Sequence, residues 1–237
     1  MPLKPYDKKL DYSYTYGVFP TLDLLKYGRD KIVRIVLNTE GVRNEGYHVI
    51  EEFCTKNGIQ LDYDNKFIKS VSAKENTYAL GIFNKYETKL VAEENHVVLV
   101  NPSNTGNLGT ILRTMVGFGY HNLAMIRPAV DIFDPKVIRS SMGSVFNVNF
   151  EYFDSFEDYQ VRFKTNVYAF MLNGSKEINE VKFEAPFALV MGNESQGLAD
   201  EFKSIGQSVY IQHSDEIDSL NLSVATAIAL FMGTRRL

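Results

Sequence analysis

Asn101-Pro102-Ser103-Asn104-Thr105-Gly106-Asn107-Leu108-Gly109-Thr110-Ile111-Leu112-Arg113 carries two glycines and three asparagines between a strand and a helix. Before it stands Val97-Val98-Leu99-Val100, a short β-branched run that reads as a buried strand. After it, apolar residues recur at helical spacing from about Leu108 to Phe118. A strand, a loop rich in glycine and asparagine, and a helix form the repeating unit of a parallel sheet. Glycine lets backbone approach a ligand, and asparagine tolerates unusual backbone angles. Asn107 is placed to cap the helix, and Arg113 follows one and a half turns in. The loop lacks the Gly-Lys-Ser/Thr of a phosphate-binding loop and the Gly-x-Gly-x-x-Gly of a dinucleotide fold. On composition alone, a ligand loop and an ordinary capped helix bearing a surface arginine are about equally favoured.

The chain beyond this stretch repeats the alternation. Leu123–Ile126, Val167–Met171, Phe187–Met191 and Val209–Ile211 read as strands, and the alanine-rich segment Leu220–Met232 as a closing helix. Alternation of this kind predicts a mostly parallel sheet covered on both faces, with ligands bound beyond the strands' carboxyl ends. Two further loops stand at such ends. One is Gly192-Asn193-Glu194-Ser195-Gln196-Gly197-Leu198. The other runs Ile211-Gln212-His213-Ser214-Asp215-Glu216-Ile217-Asp218-Ser219-Leu220-Asn221-Leu222-Ser223-Val224-Ala225, in which Ser219 or Asn221 is a candidate cap. Each also fits a plain structural turn or capped helix.

Toward the N-terminus the pattern is that of a smaller α/β unit. Helices are expected over Tyr16–Lys26 and Tyr47–Lys56, and strands over Ile32–Leu37 and Tyr78–Phe83. The polar stretch Asn84–Glu94 is the candidate linker, so the expected domains are 1–90 and 91–237. Charge divides at the same place. Residues 1–90 carry 14 Lys and Arg against 12 Asp and Glu, and residues 91–237 carry 11 against 17. If RNA binds, the first segment is the less repulsive surface. Tyr6, Tyr12, Tyr14 and Tyr16 fit packing of an N-terminal arm better than stacking on bases.

The 237 residues are 45% hydrophobic, enough for a packed core, and the net charge of −4 argues mildly against a nucleic-acid binder. One cysteine, Cys54, leaves no intrachain disulfide, and a cytoplasmic site is the natural expectation. Met1-Pro2-Leu3-Lys4 opens without an apolar signal-peptide core. The apolar run Leu222–Met232 is well short of the ~20 residues of a membrane span. His48, His96, His121 and His213 have no metal-ligand spacing, so no metal is expected. Of these only His213, beside the third loop, invites a functional reading. Arg139-Ser140-Ser141-Met142-Gly143 reads better as a helix end than as part of a site.

Taken together, in this order and spacing, the three loops resemble the motifs of the SpoU (TrmH) branch of the SPOUT methyltransferases. The first matches in the asparagine six residues before an arginine, Asn107 and Arg113. The second resembles Gly-Asn-Glu-Gly-x-Gly-Leu, with Ser195 in place of a glycine. The third, Ser219–Ala225, resembles Ser-Leu-Asn-Val-Ser-Val-Ala with Leu222 for a valine. The family's frequent Ile-Pro-Met-x-Gly ahead of the third motif is replaced by Ile211-Gln212-His213-Ser214-Asp215. The resemblance covers about residues 91–237. It implies an α/β fold with a parallel sheet and a C-terminal trefoil knot, preceded by a small α/β substrate-binding domain. It further implies S-adenosylmethionine as cofactor, a ribose 2′-hydroxyl of rRNA or tRNA as acceptor, and a homodimer. The residues it assigns to cofactor are Met191, Gly192, Asn193, Gly197, Ile211 and Leu220. Arg113 is assigned to the chemical step, with Asn107, Glu194, Asn221 and Ser219 around it. Two rival classes are a non-catalytic RNA-binding protein on the same fold and a nucleotide-binding α/β enzyme of other chemistry.

Overall fold

A computed structural model describes residues 4–72 and 77–234. The N-terminal residues Met1 to Leu3, on which the absence of a signal sequence was read, lie outside that range. The chain forms two compact units, one of residues 1–86 with 131–147, the other of 87–130 with 148–237.

In the first unit β1 (Tyr12–Tyr16), α1 (Val18–Tyr27), β2 (Ile32–Leu37), α2 (Glu45–Asn57), β3 (Leu61–Tyr63), α3 (Asn65–Val71) and β4 (Ala79–Asn84) follow in order. The strands form a mixed sheet in the order β1-β4-β2-β3. Side chains alternate across it, as the two-residue period of a strand requires. Ile35 and Leu37 face a core with Leu25, Tyr47, Ile50 and Cys54, while Val36 faces one with Tyr12, Tyr14, Ile68 and Leu80. The tyrosine-rich stretch is therefore a strand: Tyr12 and Tyr14 are buried, and Tyr16 donates through its hydroxyl to Val71 O at 2.8 Å. α2 is capped by the Asn44 side chain and ends on Gly58, whose φ of 66° is the left-handed cap that glycine adopts freely.

The second unit begins with β5 (His96–Val100), α4 (Thr105–Gly117) and β6 (Asn122–Ile126). An excursion, Asp131–Asn147, then belongs to the first unit and holds α5 (Pro135–Ser140). There Ile132, Val137, Ile138 and Val145 are buried, and the Ser13 hydroxyl donates to Phe133 O at 2.5 Å. Arg139 lies in the last turn of α5. The chain returns through β7 (Asn149–Phe153), α6 (Phe156–Arg162), β8 (Asn166–Phe170), β9 (Lys176–Glu177), β10 (Phe187–Met191), β11 (Gln207–Tyr210) and α7 (Leu222–Thr234). These strands form a sheet ordered β7-β6-β5-β10-β8-β11-β9, and every neighbouring pair is parallel. Val97, Val98 and Leu99, on alternating faces of β5, are all fully buried, so both faces of the sheet are covered. On one face the aromatic residues of α6 pack against Val98, Ala124, Ala188 and Val190. α7 packs against α4 and β10.

Residues 88–94 are part of the second unit, where a free linker was expected. Thr88 Oγ1 donates to Phe150 O at 2.7 Å, and Val91 N to Asn122 Oδ1 at 2.9 Å. Buried Glu151 accepts from Lys89 Nζ at 2.7 Å, Arg162 at 2.8 Å and Leu90 N at 3.1 Å. His96 is a satisfied core histidine. Its Nε2–H donates to Val91 O at 2.9 Å, its Nδ1 accepts from the Tyr159 hydroxyl at 2.8 Å, and burial pushes its pKa down. Among the described residues no helix is long and apolar enough to cross a membrane.

Burial alone would raise the Glu151 carboxyl, but its hydrogen bonds to Arg162, Lys89 and Leu90 N outweigh burial and hold its pKa below the ordinary carboxylate range. Its stabilising contribution is therefore complete above the unfolded-state carboxylate pKa and is lost as pH falls through the lower folded-state value. Glu151→Gln should cost about 1–2 kcal/mol at neutral pH, since both cationic partners are well exposed, and should flatten the acid limb of the stability profile. Denaturant melts of both proteins from pH 7 down to pH 3 check this.

Candidate active site

Three loops leave the carboxyl ends of β5, of its neighbour β10 and of β11, which lies beyond β8, and they converge beside α4 and α7. The first turns at Asn101, whose φ of 52° places it in the left-handed region that asparagine tolerates. Its side chain donates to Arg127 O at 2.6 Å. Asn104 caps α4: its Oδ1 accepts from Gly106 N at 2.8 Å and Asn107 N at 3.0 Å. Asn107 was the expected cap. Because the helix starts three residues earlier than the apolar periodicity suggests, Asn107 lies inside its first turn with its side chain free for other partners.

The second loop is a tight hairpin in which Asn193 and Gly197 exchange backbone hydrogen bonds at 3.2 and 2.9 Å. It closes so sharply that a Cβ on Gly192 would lie 2.1 Å from the carbonyl carbon of Gly197, so only glycine fits at 192. The Asn193 side chain is consumed by the turn. Its Oδ1 accepts from Ser195 N at 2.9 Å and Ser195 Oγ at 2.7 Å, and its Nδ2 donates to Asn101 O at 2.7 Å.

Glu194 ties these loops together. Its carboxylate accepts from Ser103 Oγ at 2.7 Å, Asn104 N at 3.0 Å, Ser103 N at 3.1 Å and, more loosely, Asn107 Nδ2 at 3.4 Å. Burial pushes this carboxyl up, but the bonds from Ser103 and Asn104 prevail and its pKa is lowered. It stays ionised at neutral pH. Asn107 Oδ1 in turn accepts from Asn221 Nδ2 at 3.1 Å. Asn221 Oδ1 caps α7 by accepting from Ser223 N at 2.9 Å. One chain of side chains thus links all three loops.

Beside this chain lies a pocket of about 380 Å³. Met191, Gly192, Asn193, Gly197, Ile211 and Leu220 line it, as do Glu194 and Ser219. Asn107 and Asn221 stand behind Glu194 and do not line the pocket. Arg113 does not line it either: it is exposed on α4 and makes no ion pair among the described residues. The sequence reading missed Ser103 and Asn104 as anchors of Glu194, and the wall formed by Phe170 to Asn173. That wall follows β8 and carries no glycine-rich signature; only its place at a strand's carboxyl end could have pointed to it. The carboxylates of the lining are Glu194 and Asp200, His213 adds an imidazole, and among the described residues the lining contains no Lys or Arg. The Lys203 ammonium, 2.7 Å away, holds Asp200 below its usual pKa. No group of three or more His, Cys, Asp or Glu side chains among the described residues is arranged to hold a metal ion.

A parallel α/β sheet with an acidic, glycine-floored pocket at its carboxyl edge defines the class of small-ligand α/β enzymes. The solved structure of an AdoMet-bound rRNA methyltransferase from Sinorhizobium meliloti shares this fold, with a TM-score of 0.80 at 27% identity, covering 96% of this chain and 88% of that one. The family model described as the SpoU rRNA Methylase family matches residues 94–231, and the chain belongs to that family. An uncharacterised tRNA/rRNA methyltransferase of Synechocystis is 30% identical over 144 residues, 59% of this chain and 53% of that protein. A 23S rRNA (uridine(2479)-2′-O)-methyltransferase of Streptomyces viridochromogenes is 28% identical over 149 residues, 59% of this chain and 52% of that protein. The chain spans about half the length of these curated relatives.

If Glu194 is the clamp, its removal frees the amides it holds. Glu194→Ala should speed hydrogen exchange at Ser103 and Asn104 by about tenfold or more, the cost of roughly one charge-assisted hydrogen bond, while amides of β6 keep their protection. NMR-detected exchange reads this directly.

Proposed function

We propose that this chain transfers the methyl group of S-adenosylmethionine to a ribose 2′-hydroxyl of structured RNA, rRNA or tRNA. The observation that carries the reading is the side-chain network Glu194–Asn107–Asn221, which unites the three loops at the edge of a pocket suited to a cationic nucleoside. The pocket's volume lies in the range of small-ligand sites. Its acidic lining, without Lys or Arg among the described residues, suits a sulfonium, and its apolar wall suits a purine. The bound cofactor supplies an electrophilic methyl group on a good leaving group, so the protein's work is alignment and activation of the hydroxyl.

Backbone at Met191, Gly192, Gly197, Ile211 and Leu220 forms the cofactor's seat, and Asn193 shapes the hairpin that presents it. Glu194 holds the first loop against that seat. Its oxygens are already occupied by donors, which makes it an organiser and not a base. Asn107 ties the first turn of α4 to Asn221, which caps α7, and Ser219 borders the ribose side. Arg113 lies about 9 Å along the helix axis from Asn107, and helical side chains lean toward the N-terminus, back toward the loop. With no ion-pair partner among the described residues, it grips the phosphate beside the reactive ribose and sets the hydroxyl in line. The first unit, with its less acidic balance, holds the RNA, and its affinity weakens with salt.

The same reading implies a trefoil knot in the second unit. It is supported by β10 inserting between β5 and β8, by β11 joining beyond β8, and by α7 coming back to α4 and β10. It also implies a homodimer, for which exposed Val224 and Phe231 on α7 offer apolar surface, and a cytoplasmic place of action.

Titration of the full chain with S-adenosylmethionine should show saturable binding; a folded sample that binds none contradicts the proposal. Arg113→Ala should leave cofactor affinity nearly unchanged and lower the single-turnover rate at saturating cofactor by ~100-fold or more. Arg113→Lys should also fail, because an ammonium lacks the planar two-pronged grip on phosphate. A merely surface arginine would cost well under ~1 kcal/mol of stability and no activity.

A further inference from the structure

The pocket has two ends of different character. At one, beyond the carboxyl end of β10, stands Glu194, linked by hydrogen bonds to the asparagines outside the lining that tie the loops together. At the other, beyond β8 and β11, the lining is Phe170, Met171, Leu172, Val209, Ile211 and His213, together with Asn173 and Asp200. β10, β8 and β11 are successive parallel neighbours, so the two ends lie two strand spacings apart, roughly 10 Å. Methyl transfer takes place at the first end, where the motif residues gather. The far end therefore receives the part of the cofactor remote from the sulfonium. Its largely apolar wall has no Lys or Arg among the described residues to pair a carboxylate, and its one carboxylate, Asp200, is already paired with Lys203, so it suits the purine and not the zwitterionic amino-acid group.

His213 is the ring on that wall that carries hydrogen-bonding atoms. Its Nδ1 lies 2.9 Å from Ile211 O. A carbonyl oxygen only accepts, so Nδ1 carries the proton of this bond, and Nε2 of the neutral ring holds a lone pair. Nε2 has no hydrogen-bond partner among the described residues, and the ring is half-buried. The bond to Ile211 thus fixes both the tautomer and the plane of the ring, and leaves one oriented acceptor against an apolar floor.

We propose that His213 is a specificity-determining residue for the nucleobase of the cofactor, accepting at Nε2 a hydrogen bond from the exocyclic amine of adenine. This rests on the cofactor reading above. It gives a purpose to the segment Gln212–Asp215, where the chain departs from the sequence its family resemblance leads one to expect. A base with a carbonyl in place of the amine would set two acceptors against each other and be rejected, as sites built to bond a ligand donor reject ligands that lack it.

The test is isothermal titration of the full chain with S-adenosylhomocysteine and with S-inosylhomocysteine, whose base carries that carbonyl. Wild type should favour the adenosyl compound by about tenfold or more, the worth of one partly buried hydrogen bond plus the avoided repulsion. His213→Phe, which keeps the ring and loses the acceptor, should weaken S-adenosylhomocysteine about tenfold, leave S-inosylhomocysteine nearly unchanged, and so erase the preference. His213→Gln, whose amide oxygen is again an acceptor, should restore part of it, which a loss of folding in the Phe variant would not allow. Equal affinity of wild type and His213→Phe for S-adenosylhomocysteine overturns the role of His213 alone. Absence of binding of either compound to wild type overturns the cofactor reading itself.

Discussion

The Glu194 carboxylate is the point on which the site is assembled. It sits on a strand-end hairpin yet receives its hydrogen bonds from a loop ninety residues earlier, at Ser103 and Asn104. A half-buried carboxylate is costly unless donors surround it, and here they more than offset burial. The donors come in turn from a loop that has no regular structure of its own to hold it. Clamp and loop are therefore mutually dependent: the charge orders the loop, and the ordered loop keeps the charge. Asn107 extends this order to Asn221 and the start of α7, so that three strand ends act as one rigid rim.

Rigidity is what the chemistry requires. A ribose hydroxyl is a poor nucleophile, and a displacement at a methyl group depends on the line of approach. A rim fixed by backbone amides and asparagine side chains gives that line a stable reference. The binding elements divide accordingly. Backbone at the glycine-bearing hairpin forms a seat that needs no particular side chain, and the only residue that fits at 192 is the one with none. On the proposed function, the exposed guanidinium of Arg113 is left to meet the anionic RNA that comes from solution.

Much of this was legible in the sequence because strands that contribute to a core write themselves as short β-branched or apolar runs. Ile32–Leu37 and Phe187–Met191 are found as read, and β5, β6, β8 and β11 differ from their expected ranges by a residue or two at an end. β1 was not legible: Tyr12, Tyr14 and Tyr16 separated by serine and threonine look like a polar arm until burial of Ser13 and Thr15 shows that both faces are covered. β7 escaped because Glu151 interrupts it, and that charge is tolerated only through Lys89 and Arg162 from elsewhere. The excursion 131–147 could not be assigned from local pattern, since its partners lie more than a hundred residues away. Within the site, the motif residues were visible as a constellation, but the hydrogen bonds were not. The cap of α4 is Asn104 and not Asn107, and that shift by three residues is what frees Asn107 to bridge Glu194 and Asn221.

The central claim is that this rim directs a methyl group to a ribose oxygen. The most direct measurement incubates the full chain with unmodified rRNA and tRNA and with S-adenosylmethionine labelled on the methyl group, then digests the RNA to nucleosides for mass spectrometry. The account predicts that label appears in a 2′-O-methylnucleoside, with the added mass retained on the sugar fragment. Label found on a base, or no transfer from a sample that binds the cofactor, would contradict it.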